Sequence, residues 1–390
     1  MAGFFAGEDL SLNPIEEARL RQAAGEGYLD LTSSNPTQQG LLFPPAILQR
    51  ASQPYWDTRR YLPDPKGLPT ARATISRYYA GRTPSFELDP EHIFITASTS
   101  EAYSHLFGLL TRPGDNILGP QITYPLFEYL AALHHVQLRP YNLVESNGWQ
   151  IDERSLLAQA DRRTRAVLLI SPHNPTGMVV RQPIAALTKL GLPIICDEVF
   201  SEFPYTIAAV PPFATLHPEL PVFLLNGLSK MFALPDLKLG WIAANALAYT
   251  KFGARLELLN DTFLSCSSLI QAMLPTLFQE GFDFVDQMRQ HIRSNLDMAL
   301  AMLATSPRFK LQPPDGGYYL FTAVAGWPSN DEEALVLHLL EKGVLVHPGF
   351  FYNYTDETDT TTMPHLMLSA LTAPDVLRTG LERLLAALAY

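Results

Sequence analysis

Lys230 stands in NGLSKMFALPDLKLGW, residues 226–241, directly after an apolar run and in a turn that contains Gly227 and Ser229. A lysine at the C-terminal end of a buried strand faces the crevice in which open α/β sheets bind their ligands. There its amine can act as a nucleophile and as a carrier of protons. PIICDEVF places Asp197 at the end of a second apolar run, behind Ile194, Ile195 and Cys196. A carboxylate in that position is costly unless a cation or a protonated heterocycle meets it. SPHNPTG, residues 171–177, puts Asn174 in a turn after AVLLIS, and TASTSEAYSHL puts Ser98, Thr99 and Ser100 between HIFIT and a helical pattern. Hydroxyls and free amides at a helix N-terminus form an anion site. Taken singly, each has an ordinary reading: Lys230 as a solvated loop lysine, Asp197 as an ion-pair partner, Asn174 as a turn residue, Ser98 as an N-cap.

The elements that must position these residues are short apolar runs separated by helical patterns. The runs are HIFIT (92–96), NILG (116–119), AVLLIS (166–171), PIICDEVF (193–200), FLLNGL (223–228) and GWIAAN (240–245). Continuous apolar strands with helices between them predict an α/β fold whose mainly parallel sheet is covered on both faces. STSEAYSHLFGLL and PLFEYLAALHH carry apolar residues at three-to-four spacing and read as crossover helices. Beyond about residue 246 the pattern changes to long helices, including 284–304, followed by YYLFTAV, a helix at 331–342, VLVHP, HLMLSAL and a last helix at 373–388. This predicts a large domain over 50–285 and a smaller α+β domain over 286–390, with segment 1–49 packing beside the small one.

With 390 residues, 47% of them hydrophobic and 17% charged, the chain is long and apolar enough for a large buried core. Twenty-eight basic against 39 acidic residues leave a net charge of −11, which repels nucleic acid and anionic membrane surfaces. The two cysteines, Cys196 and Cys266, fit neither a disulfide scaffold nor a zinc site. The opening MAGFFAGEDLSLNP lacks a basic leader, and no apolar run approaches the ~18 residues that span a bilayer. A cytoplasmic protein without metal is the expectation.

Four elements in this order, a strand with an S-T-S helix start, NPTG, strand-Asp and strand-Ser-Lys, are far more specific than any one alone. Over nearly its whole length the chain resembles a fold-type-I pyridoxal-phosphate enzyme of the class I/II aminotransferase family. The resemblance implies a seven-stranded-type sheet in the large domain, pyridoxal 5′-phosphate as cofactor and a homodimer. It implies that Lys230 forms the Schiff base, that Asp197 pairs with the pyridinium nitrogen and that Asn174 bonds the ring O3′. It assigns Ser98, Thr99 and Ser229 to the phosphate side of the cofactor and Tyr124, in QITYPLF, to stacking on its ring. Tyr61, in RYLPDPKGLP, stands where a tyrosine reaches the phosphate of the neighbouring subunit, and Ser34 and Asn35 match a strip that closes over substrate. The chemistry agrees: the protonated ring accepts the electron pair released at Cα, and that protonation requires a close carboxylate in a dry site.

Three positions depart from the family pattern. Phe200 stands where a tyrosine usually donates to O3′. Lys238, with Asp236 two residues before it, replaces the arginine that clamps the phosphate; a lysine still binds phosphate, as a point charge. Met367, in HLMLSAL, occupies the place of the arginine that grips the substrate carboxylate, and a thioether cannot pair with a carboxylate. Arg59 and Arg60, just before Tyr61 on the segment expected to enter the neighbouring subunit's site, are the nearest replacement cations, Arg60 being the candidate, with exposed surface arginines as the equally ordinary reading. The expected activity is amino transfer between an amine donor and a 2-oxo acid. The alternative on the same fold is a lyase, cyclase or oxidase. A regulatory domain with a DNA-binding module finds no room before the core and no basic charge.

Overall fold

Seven strands make the main sheet of the computed structural model, which describes residues 10–145, 148–327, 331–353 and 363–389. The opening nine residues, part of the segment read as free of a leader pattern, lie outside the described residues. In chain order the strands are β1 (Ile93–Thr96), β2 (Asn116–Pro120), β3 (Gln137–Tyr141), β4 (Thr164–Ile170), β5 (Ile194–Asp197), β6 (Val222–Gly227) and β7 (Gly240–Ala244). Their spatial order is β1-β7-β6-β5-β4-β2-β3. Strands β2 to β6 run parallel, while β7 lies antiparallel between β1 and β6. Every residue of β1, β2, β5, β6 and β7 is buried, which is why these strands read as unbroken apolar runs rather than as alternations. The predicted strand PIICDEVF proves shorter: β5 ends at Asp197, and Glu198–Phe203 form turns.

Two compact units are present. The larger comprises Leu41–Gln290 with Asp315–Gly317, and the smaller comprises the described residues up to Gly40 with 291–314 and 318–389. Residues 41–49, expected with the N-terminal segment, instead belong to the larger unit. The helix Pro45–Thr58 packs there on the helix Ser268–Glu280, and Arg50 pairs with Glu280. In the smaller unit an antiparallel sheet has the order β8-β9-β11-β10, built from β8 (Phe309–Lys310), β9 (Tyr319–Val324), β10 (His347–Pro348) and β11 (His365–Ser369). Leu29–Asp30 pairs in parallel with Val344–Leu345, and the next residues run beside the end of β11. There the Ser369 amide donates to the Leu31 carbonyl at 2.7 Å and the Ser369 hydroxyl to the Ser33 carbonyl at 2.6 Å.

Candidate active site

The C-terminal ends of β4, β5 and β6 fall side by side, because Ile170 is in register with Asp197 and Asp197 with Leu225. Asp197 is buried at the end of its strand. Its Oδ2 accepts from the Tyr103 hydroxyl at 2.9 Å and its Oδ1 from the Val199 amide at 2.9 Å. Burial pushes the carboxyl up to about 6, against the pull of these two donors and the field of Lys230. The carboxylate is therefore held charged in a site that resists charge, and it is primed for a cationic partner.

Lys230 does not sit in an open turn. Leu228–Met231 form one helical turn directly after β6, so Lys230 projects from a rigid segment two residues beyond a buried leucine. Burial lowers its amine from the usual lysine range, with the Asp197 carboxylate acting in the opposite direction. Its Nζ lies 6.0 Å from the centre of the buried Phe200 ring. The site thus has an apolar wall where a tyrosine would have supplied a donor.

Close backbone approach brings the Ser98–Thr99 turn to the same edge. Thr96 on β1 pairs with Gly240 on β7, which in turn pairs with Gly227 at the end of β6. A Cβ on Gly240 would stand 2.9 Å from the Ser98 carbonyl carbon and 2.9 Å from the Thr99 nitrogen, so only glycine admits this packing. Ser98 caps the helix Thr99–Leu110, its hydroxyl accepting from the Glu101 amide at 3.1 Å. Asn174 lies in the turn after β4 with its side chain buried, and its Oδ1 has no hydrogen-bond partner among the described residues. A buried amide oxygen in that state calls for a polar ligand atom.

The remaining expected residues are more open. Tyr124 is 43% exposed, its ring edge-on to Phe127 at 6.0 Å. Ser229 is half-buried. Lys238 is exposed and has a left-handed backbone with φ of 50°. Arg60 is exposed, and Tyr61 is 72% exposed. In the smaller unit Ser34 is exposed, while the Asn35 Oδ1 is engaged by the Thr37 amide and hydroxyl at 3.1 and 2.7 Å. Met367 is buried on β11, in register with Phe321 on one side and His347 on the other.

Tyr103 is the functional neighbour that sequence reasoning missed. It occupies the buried face of its helix with Ala102, Leu106 and Phe107. A buried phenol needs a hydrogen-bond partner, which was the available signal. The partner itself lies 94 residues away and emerges only from the fold.

An open α/β sheet that carries a desolvated lysine and a buried carboxylate at its C-terminal edge defines an enzyme acting on a small molecule bound there. The sequence profile described as aminotransferase class I and II matches residues 26–365, and the chain belongs to that family. It is 24% identical over 386 residues to the tyrosine aminotransferase of Homo sapiens, covering 94% of this chain and 83% of the relative. An S-alkyl-thiohydroximate lyase of Arabidopsis thaliana is 30% identical over 269 residues, covering 65% of this chain and 57% of the relative. The structure of an alanine aminotransferase from Pyrococcus furiosus superposes with a TM-score of 0.86 at 21% identity, covering 98% of each chain. The chain is accordingly an aminotransferase, a transferase of a family that generally depends on pyridoxal phosphate.

Proposed function

We propose that this chain binds pyridoxal 5′-phosphate and moves an amino group from an amine donor, an amino acid, to a 2-oxo acid. One observation carries the reading: a desolvated lysine and a buried, doubly hydrogen-bonded carboxylate lie at one edge of the main sheet. The residues present fit the cofactor. The unpartnered Asn174 side chain offers a polar contact for a ring substituent, and Asp197 offers the charge that a protonated ring nitrogen requires. Lys230 would hold the group covalently, and Tyr124 would cover its ring. Ser98, Thr99, Ser229 and Lys238 would hold its phosphate, together with Tyr61 of the partner subunit.

When bound, the cofactor supplies a sink for the electron pair left as a bond at the substrate Cα breaks. Lys230, with its amine lowered by burial, is neutral more readily than a surface lysine, and so it could take a proton from the substrate Cα and deliver it across the linking nitrogen to the former aldehyde carbon, C4′, of the bound group. Asp197 stays charged because Tyr103 and Val199 donate to both of its oxygens, and these donors also fix its orientation. The buried Phe200 ring, 6.0 Å from the lysine Nζ, gives that side of the site an apolar surface.

Substrate contacts in this reading come from Ser34 and Asn35. Met367 offers no charge for a carboxylate, and Arg60 of the partner subunit replaces it. The homodimer is supported by an exposed apolar group, Trp56, Tyr61, Leu62, Leu258 and Leu264, on or near the segment that holds Tyr61. That segment is anchored by the Asn260 amide on the Pro65 carbonyl at 2.6 Å and the Ser265 hydroxyl on the Asp64 carbonyl at 3.0 Å. A cytoplasmic site of action accords with two free cysteines. Among the described residues no helix is long and apolar enough to cross a membrane.

The test is a product balance. The enzyme, supplied with pyridoxal phosphate, is offered a panel of amino acids and simple amines together with 2-oxoglutarate. One new amino acid formed per donor consumed supports amino transfer. Release of ammonia, or of a β- or γ-substituent, without amino transfer would assign the chain to the lyases instead.

A further inference from the structure

The larger unit holds a cleft of about 770 Å³ whose walls include none of the residues assigned above. Its size falls within the ~300–1,000 Å³ typical of small-molecule sites. The helix Pro69–Ala80, the loop that follows Glu198 and the helix Ser268–Glu280 supply the walls. One side is aromatic: Tyr78 meets Phe278 edge-on at 5.5 Å, and Phe278 meets Phe282 at 6.1 Å.

The charged groups on the polar side differ in how far they are satisfied. Arg82 donates to the buried Glu198 carboxylate at 2.6 Å and to the Val210 carbonyl at 2.8 Å. Glu202 accepts from the Tyr78 hydroxyl at 2.6 Å on one oxygen and from Arg289 on the other, so its charge is met as well. Arg77 is the exception. Its guanidinium reaches only the Ala73 carbonyl of its own helix at 3.3 Å and the Thr74 hydroxyl at 3.2 Å. No carboxylate pairs with it among the described residues. A cation without a counter-ion, beside an aromatic wall and next to acids that are already neutralised, selects an anion with a flat apolar body.

We propose that this cleft is a second small-molecule site, separate from the lysine site, which takes a singly charged aromatic carboxylate with the carboxylate on Arg77 and the ring against Tyr78, Phe278 and Phe282. The cleft borders the active-site framework on one side. Ser201, on its wall, accepts from the Asn226 side-chain amide at 3.2 Å, and the same amide donates to the Glu198 carbonyl at 3.1 Å. Asn226 in turn accepts from the Gly227 amide at 2.7 Å, at the start of the segment that carries Lys230.

The experiment is calorimetric titration of the cofactor-loaded enzyme with naphthalene-2-carboxylate, with the neutral naphthalene-2-carboxamide as control. Wild type is expected to bind the carboxylate saturably and more tightly than the amide. Arg77→Gln should weaken the carboxylate by about tenfold or more, and Arg77→Lys should restore part of that loss. Ala209→Trp, which fills the cleft from its loop side, should weaken both compounds. Arg77 is exposed and Ala209 lies in a loop, so both variants are expected to fold. Carboxylate binding that is absent in wild type, or that persists unchanged in Arg77→Gln and Ala209→Trp, overturns the proposal.

Discussion

Tyr103→Phe removes one of the two donors that hold the Asp197 carboxylate and leaves the buried ring in place. A hydrogen bond to a charged group contributes about 1.5–3 kcal/mol, which corresponds to a rise of about 1–2 pH units in the carboxyl once the donor is gone. The direction follows from the charged form having lost its partner. In the cofactor-free protein a rise of that size from about 6 lowers its ionised share at neutral pH from about nine-tenths to between a half and a tenth. The assay is the pH profile of pyridoxal phosphate affinity for the cofactor-free protein, whose acid limb reports the carboxyl before it gains a cationic partner. The variant should lose about two- to tenfold of its cofactor affinity at pH 7, recover most of it in alkaline buffer, and show an acid limb displaced upward by about 1–2 units. An unmoved acid limb, or a loss equal at every pH, would refute the argument that Tyr103 acts by keeping Asp197 charged.

Other substitutions probe the same framework. Burial raises Asp197 to about 6 in the folded chain, so its contribution to stability is full below the unfolded value and is lost as pH rises through about 6, a cost of up to about 3 kcal/mol. In the cofactor-free protein Asp197→Asn should therefore melt above wild type at pH 8, with the gap closing below pH 4, and a lower melting point at pH 8 would contradict this. Gly240→Ala places a Cβ against the Ser98–Thr99 backbone. At about 1–3 kcal/mol for overpacking, it should weaken pyridoxal phosphate by about five- to a hundredfold while leaving phosphate-free pyridoxal nearly unaffected, and equal effects on both would separate the turn from phosphate binding. Arg60→Ala should raise KM for amino acids about tenfold or more and spare simple amines, since a carboxylate that loses a charge-assisted hydrogen bond loses about 1.5–3 kcal/mol. Unchanged KM for amino acids would place the carboxylate anchor elsewhere.

What the sequence revealed and what it hid follow from burial. β1, β5, β6 and β7 were legible because they are buried along their whole length and, apart from Thr96, Asp197 and Asn226 near their ends, every position is apolar or small. β3, Gln137–Tyr141, was not: as an edge strand paired only with β2 it keeps Gln137 exposed and tolerates Pro140 in its middle. The antiparallel course of β7 was equally hidden, since an apolar run carries no direction. At the site, the lysine, the aspartate and the asparagine announced themselves as polar residues at the ends of apolar runs. The helical turn that carries Lys230 and the Tyr103–Asp197 bond depend on packing between distant segments, which no local pattern encodes. Phe200 and Met367 were visible as departures from the family pattern, and both are buried apolar side chains.

Lys230 is the residue proposed to hold the cofactor. The direct measurement is borohydride reduction of the enzyme loaded with pyridoxal phosphate, followed by peptide mass mapping. A pyridoxyl label confined to the peptide that contains Lys230, absent in Lys230→Ala together with turnover, is the predicted result. A label on any other lysine, or an active Lys230→Ala enzyme, would contradict the assignment of the site.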